Sequence, residues 1–235
     1  MKYFKKFFGV EEREIKPDCI ICPMDSMQLF YGPGDAEARP AKGIIFSVLN
    51  TQSASIITSK IGSLTGDCVL MLKDTQCENL YLFGSCGSAG VLDIGTKVIV
   101  KRATALESFT EMLKFKDCAE ACFPDKKLFE RLSLFASGKN LMQANCATVG
   151  SLLLEPSYLQ WFAKHKISCV DMEASLVFSA AGHIKRKAAA LMYVTDIIMR
   201  KPFYGELEPA ERERIGSAKK ELASLLLTFI QNARP

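Results

Sequence analysis

Apolar residues recur along the chain in short runs and at helical spacing by turns, with Gly, Pro and Asn between them. Asp18-Cys-Ile-Ile-Cys22 reads as a short strand closed by Pro23. Gly43 to Leu49 and Ala54 to Thr58 read as a hairpin pair joined by polar Asn50-Thr-Gln-Ser53. Ser63 to Lys73 carries Leu64, Cys68, Leu70, Met71 and Leu72, and predicts a helix. Asn79 to Phe83 is a buried strand that stops at Gly84, and Lys97 to Val100 is another. Pro124 to Ala136 places Leu128, Leu132 and Phe135 on one helical stripe. Ser168 to Val170 and Ala188 to Thr195 are strands around a helix from Met172 to Gly182. A last helix, from Glu211 or so to Asn232, repeats Leu222, Leu225, Leu226 and Phe229 at i, i+3, i+4 and i+7. Strands alternating with helices predict a single α/β domain, three layers of α/β/α around a central mixed sheet. That domain spans 17–235 behind an N-terminal arm, 1–16, and the chain has no internal repeat or low-complexity linker.

Composition narrows the class. The chain has 235 residues, 49% hydrophobic and 24% charged, which is ordinary globular usage. Thirty Lys and Arg against 26 Asp and Glu leave a net charge of +4, too mild for a nucleic-acid partner. No uncharged apolar run approaches the ~18 residues of a membrane span, so no membrane partner is expected. In Met1-Lys-Tyr-Phe-Lys-Lys-Phe-Phe8, the lysines, followed by Glu11-Glu-Arg-Glu14, exclude a secretory leader. The segment is an arm docking its Phe face on the domain or a partner subunit, or else a membrane-skimming helix. Nine cysteines include the pair Cys19 and Cys22 at redox or zinc spacing, and Cys118 and Cys122 four apart. A zinc site lacks its second tight pair, and a strand turns Cys19 and Cys22 to opposite faces. Reduced core thiols in a cytoplasmic protein, with no metal, is the reading adopted.

Ligands in such sheets bind at the carboxyl ends of strands, and several junctions there carry chemistry. Gly84-Ser-Cys-Gly-Ser-Ala-Gly90 follows a buried strand, as an anion or sugar loop or a tight structural turn. Val170-Asp-Met-Glu-Ala174 runs from strand to helix with two acids, as capping charges or as carboxylates facing sugar hydroxyls. Tyr193-Val-Thr-Asp196 ends an apolar strand in an acid, an Asx turn or a general acid whose pKa partial burial raises.

Together, Gly84-Ser-Cys-Gly87, Val170-Asp-Met-Glu-Ala174 and Thr195-Asp196 resemble the nucleoside phosphorylase and nucleosidase superfamily over roughly residues 17 to 232. Pro33-Gly34-Asp35 with Arg39 resembles its phosphate-side loop, and Pro209-Ala-Glu-Arg212 a segment whose arginine assists the catalytic Asp. The resemblance implies cleavage of an N-ribosidic bond, of a purine before a pyrimidine nucleoside. Asp196 protonates the base, with Arg212 assisting. Glu173, Met172 and Asp171 hold the ribose, and Gly34, Arg39, Ser85, Gly84 and Gly87 hold phosphate. Cys146 and Thr148 fall where the family binds the base, in a stretch without an aromatic. Residues 197–207 form a flap over the base or a plain surface loop. No metal or organic cofactor is implied, inorganic phosphate is the co-substrate, and the assembly is a homo-oligomer, a dimer or hexamer.

One place departs from the phosphorylase pattern. Leu82 stands where phosphorylases carry an arginine two residues before the Gly-Ser pair. Losing such a contact costs roughly 1.5–3 kcal/mol of phosphate affinity, unless Lys60, Arg102 or a neighbouring subunit substitutes. The nucleosidase branch lacks that arginine too and activates water with an acid after the first strand, here Asp25. Phosphorolysis, hydrolysis and a silent nucleoside-binding relative are thus the three functional expectations.

Overall fold

The computed structural model describes residues 3–24, 27–32, 34–35, 37–60, 62–106 and 121–232. Its elements, in chain order, are α1 (Phe4–Phe8), β1 (Asp18–Ile21), β2 (Ala41–Lys42), β3 (Ser47–Asn50), β4 (Ser55–Thr58), α2 (Ser63–Met71), β5 (Asn79–Ser88), β6 (Lys97–Leu106), β7 (Ala121–Cys122), α3 (Lys126–Phe135), β8 (Leu141–Val149), α4 (Leu159–Lys164), β9 (Cys169–Asp171), α5 (Ala174–His183), β10 (Lys187–Ile197) and α6 (Pro209–Asn232). The strands form one mixed sheet with helices packed on both of its faces.

Burial on both faces explains the nearly unbroken apolar runs of the central strands. Along β1 and β5, Cys19, Ile21, Leu80 and Leu82 enter one core cluster with α2 and α5. Ile20, Cys22, Tyr81 and Phe83 enter the opposite cluster with α3 and α6. Cys19 and Cys22 therefore lie on opposite faces, and the eight described cysteines are buried thiols outside any disulfide. Cys118 lies outside the described residues. In α6 the expected stripe Leu222, Leu225, Leu226 and Phe229 is buried. That helix opens on Pro209, whose fixed φ and missing N–H suit the first helical position.

The sheet closes on itself. β5 pairs in parallel with β1 and β10, β10 runs antiparallel to β6, and β6 and β8 are parallel, as are β8 and β9. β9 returns antiparallel to β5, with Gly87 opposite Val170. Gly84 to Ser88 therefore continues β5 and is not the loop expected after Phe83. β8 was not apparent as a strand, because Ala144, Cys146 and Ala147 are small and share no two-residue alternation with their neighbours.

The N-terminal arm belongs to the same core. Phe4 and Phe8 stack at 4.3 Å, Phe8 lies 4.6 Å from Phe46, and Val10 and Ile15 are buried behind them. Backbone bonds tie the arm to the β2–β3 hairpin, from Ile44 N to Lys6 O (3.0 Å) and from Phe46 N to Phe7 O (3.1 Å). A Cβ at Gly43 would stand 1.9 Å from the Phe7 carbonyl oxygen. The substitution Gly43→Ala is therefore expected to cost about 1–3 kcal/mol, lowering the melting temperature by several degrees. A melt indistinguishable from the wild type would show that the arm does not contribute to stability.

Candidate active site

The site begins where β9 hands over to α5. Asp171, the last residue of β9, is buried and accepts hydrogen bonds on both carboxylate oxygens. Oδ1 receives the Thr148 hydroxyl at 2.7 Å and the Cys146 thiol at 3.4 Å. Oδ2 receives the backbone N–H groups of Glu173, at 3.0 Å, and Ala174. The Thr148 oxygen in turn accepts the Ser175 N–H at 2.9 Å. Asp171 thus caps the start of α5 and locks it to β8.

This placement bears on three of the expected site residues. The donors to Asp171 all come from the protein, so it positions the start of α5. Cys146 and Thr148 both donate to that carboxylate. Burial keeps the Cys146 sulfur a neutral S–H donor by pushing its pKa up.

Glu173 is the residue this frame presents. It sits just ahead of α5 and is buried, and one oxygen accepts the Gly62 N–H at 2.8 Å, at the start of α2. Burial and the neighbouring Asp171 charge push its carboxyl up to about 7, against the opposing Gly62 bond. Asp171, also pushed up by burial, stays lower, at about 6, because a hydroxyl and two amides favour its charged form. Asp171 therefore ionises first and Glu173 keeps its proton longer.

Asp196 stands across the sheet. A bulge in β10 skips Thr195 and sets Asp196 opposite Gly87 of β5. A Cβ at Gly87 would lie 2.9 Å from the Asp196 carboxylate, so only glycine leaves that space. The Thr195 hydroxyl donates to Asp196 Oδ1 at 2.9 Å, and burial raises the Asp196 pKa against that bond. Gly87 also faces Val170 of β9, so it is the middle of a three-strand row with Asp196 on one flank. At the usual strand spacing, the Cα atoms of Val170 and Asp196 are about 10 Å apart. Glu173 follows Val170 by three residues, and Asp196 lines a cavity of about 100 Å³ together with Glu155. Met172 is partly buried against the core cluster that holds Val170 and Ile198.

Other expected residues are placed more loosely. Ser85 is exposed on β5, Gly84 has open space where a side chain would be, and Leu82 is sealed in the core. Gly34 and exposed Arg39 lie in a loop that Asp35 fastens through the N–H groups of Gly32 and Gln52; the Arg39 guanidinium donates to Ala38 O. Arg212 is exposed, donates to the Leu207 carbonyl at 3.1 Å and is not hydrogen-bonded to Asp196. Arg102 bonds the His165 carbonyl, while exposed Lys60 sits two residues before Gly62. Asp25 lies outside the described residues.

Sequence reasoning missed Glu155. It is 4% exposed in a short 3-10 turn, Leu152–Tyr158, whereas Leu153 and Leu154 beside it are 76% and 56% exposed. Burial, and then the Asp196 charge, push its carboxyl up to about 7. An acid inside the run Leu152-Leu-Leu-Glu-Pro156 was the available signal.

Comparison with known proteins places this arrangement. The phosphorylase superfamily profile matches residues 33–231. A DeoD-type purine nucleoside phosphorylase of Chromobacterium violaceum is 25% identical over 150 residues, 62% of this chain and 59% of that protein. This chain thus aligns with about three fifths of that relative's length. Uridine phosphorylase of Vibrio fischeri superposes with a TM-score of 0.76 at 15% identity, covering 95% of this chain and 94% of that one. AMP nucleosidase of Bacteroides thetaiotaomicron gives 0.76 at 12% identity, covering 99% and 96%. These superpositions carry the three-layer fold.

Raised acids have a consequence for stability. Asp171, Glu173 and Glu155 are neutral in both states below about pH 4; above it the unfolded chain loses protons that the native state keeps. Their contribution is thus present in acid and lost as pH rises to about 7. Thermal melts from pH 4 to 8 should show Glu173→Gln losing less stability than the wild type over that range. Parallel curves would mean that Glu173 titrates normally.

Proposed function

The chain belongs to the phosphorylase superfamily, and from that premise we propose that it cleaves the N-ribosidic bond of a purine nucleoside with inorganic phosphate, releasing free base and ribose 1-phosphate. One observation carries this reading: buried Asp196 stands opposite Gly87 of β5, and Gly87 in turn faces Val170 of β9, the strand that leads into buried Glu173.

The chemistry follows from the charges. As the C1′–N9 bond breaks, its electron pair leaves with the base and positive charge develops on the sugar. Asp196, its pKa raised by burial, delivers a proton to the purine N7. Glu173 accepts the ribose hydroxyls, and as a carboxylate it stabilises the cationic sugar. A phosphate oxygen then bonds to C1′. Ser85 and the backbone at Gly84 are the phosphate-side groups, with Lys60 the nearest described cation in the chain to the Gly62 anchor. Such a reaction needs no metal or organic cofactor. Exposed Leu153, Leu154 and Tyr204 near the cavity support a homo-oligomer.

A second reading, hydrolysis, is favoured by a specific observation: Leu82, where the resemblance places a phosphate-binding arginine, is buried in the core.

Release of base from inosine, adenosine, guanosine, uridine and methylthioadenosine, with and without phosphate, separates the readings. Base released only with phosphate, together with ribose 1-phosphate, is the expected result, and Asp196→Ala should lower kcat by about 10²–10⁴ with nucleoside binding largely kept. Equal release without phosphate would establish hydrolysis. Ligand-induced stabilisation without product would mark a silent binder.

A further inference from the structure

Glu155 has no place in the reaction just derived, and its surroundings ask for a partner. It is 4% exposed, and among the described residues its carboxyl has no hydrogen-bond or ion-pair partner. Packing gives no reason to bury it, since Leu153 and Leu154 in the same turn face solvent. With Asp196, Met199, Phe203 and Tyr204 it lines a cavity of about 100 Å³. At about 30 Å³ per water that is roughly three waters, room for one edge of a ring system rather than a whole nucleoside. Phe203 and Tyr204, in edge-to-face contact at 5.1 Å, stand at its mouth. Backbone bonds from Ile197 N to Lys201 O and from Gly205 N to Pro202 O hold this segment in a defined turn.

We propose that Glu155 is the base-selecting residue: with Asp196 it forms a donor–acceptor pair of carboxyls that reads the edge of a 6-aminopurine. The inference rests on the reading that Asp196 meets the base.

Two neighbouring buried carboxyls do not both ionise, so the pair retains one proton near neutral pH. Burial and the Asp196 charge holding Glu155 near 7 agree with that. One proton on two carboxyls presents one donor and one acceptor. A 6-aminopurine offers the complement, an acceptor at N7 and a donor at N6–H. A 6-oxopurine offers acceptors at both N7 and O6, so one carboxylate would face an oxygen lone pair. Replacing Glu155 by Gln supplies an N–H and removes that mismatch.

The test measures kcat/KM for adenosine and inosine, and calorimetric binding of free adenine and hypoxanthine, on the wild type, Glu155→Gln and Glu155→Leu. The wild type is expected to favour the 6-amino compounds by about tenfold or more. Glu155→Gln should erase or invert that preference, and Glu155→Leu should lose adenine affinity more than hypoxanthine affinity. Equal handling of both bases by the wild type overturns the proposal, as does a 6-oxo preference or variants that scale both bases alike. The binding arm keeps the two readings apart. If the wild type cleaves nothing yet binds adenine through Glu155, the cleavage reading fails and this one stands.

Discussion

The site depends on how strand β5 is shared between partners. Over Asn79 to Leu82 it is bonded to β1 on one edge and β10 on the other. At Gly87 and Ser88, β1 has ended and β9 takes its place, running the opposite way. A strand that changes neighbours within a few residues needs little bulk at the exchange, and Gly84 and Gly87 mark it. The ring β5–β10–β6–β8–β9 closes there, so the ends of β9 and β10 converge on one glycine row. Glu173 and Asp196 come from those two ends.

The acids gathered at this closure differ in how well the protein satisfies them. Asp171 receives a hydroxyl, a thiol and two amides, as a buried carboxylate requires. Glu173 receives the Gly62 and Met172 amides, Asp196 one hydroxyl, and Glu155 no donor among the described residues. Helix propensity and core packing do not explain that gradient. It runs from the group that fixes the backbone to the groups lining the cavity, so the shortage of donors lies where a ligand would bring them. Stability is given up for this, since each under-supplied acid weakens the fold as it ionises.

Much of this was legible in the chain because both faces of the sheet are buried. The runs at 18–22, 79–83 and 188–195 are apolar without interruption, and the α6 stripe is regular, so these elements could be read directly. β8 could not, because its small residues face well-filled neighbours and carry no period. The continuation of β5 was hidden by its glycines, which locally look like a turn; their cause, the Asp196 carboxylate across the sheet, lies more than a hundred residues away. Glu173 and Asp196 stood at strand ends and were visible. The capping role of Asp171 was not legible because its four donors come from a distant strand, β8, and a helix start. Glu155 was missed because a short 3-10 turn inverts the usual rule, acid inward and leucines outward.

The choice of acceptor turns on which charges remain uncommitted. Water attacking a ribosyl cation needs a base to take its proton, whereas phosphate arrives as an anion and needs positive charge or N–H donors around it. In the proposed reading Asp171 is saturated by protein donors, Glu173 is given to the sugar and Asp196 and Glu155 to the base, while Asp25, the acid that hydrolysis would use, lies outside the described residues. On the other side, Gly84 leaves open space beside exposed Ser85, and Lys60 stands two residues from the amide that holds Glu173. Leu82 withdraws an arginine from that side and also removes the desolvation cost of a guanidinium in the core. An anion held by a hydroxyl, backbone amides and one flexible lysine binds more weakly than one gripped by arginine. It still asks of the chain only groups that the described residues supply.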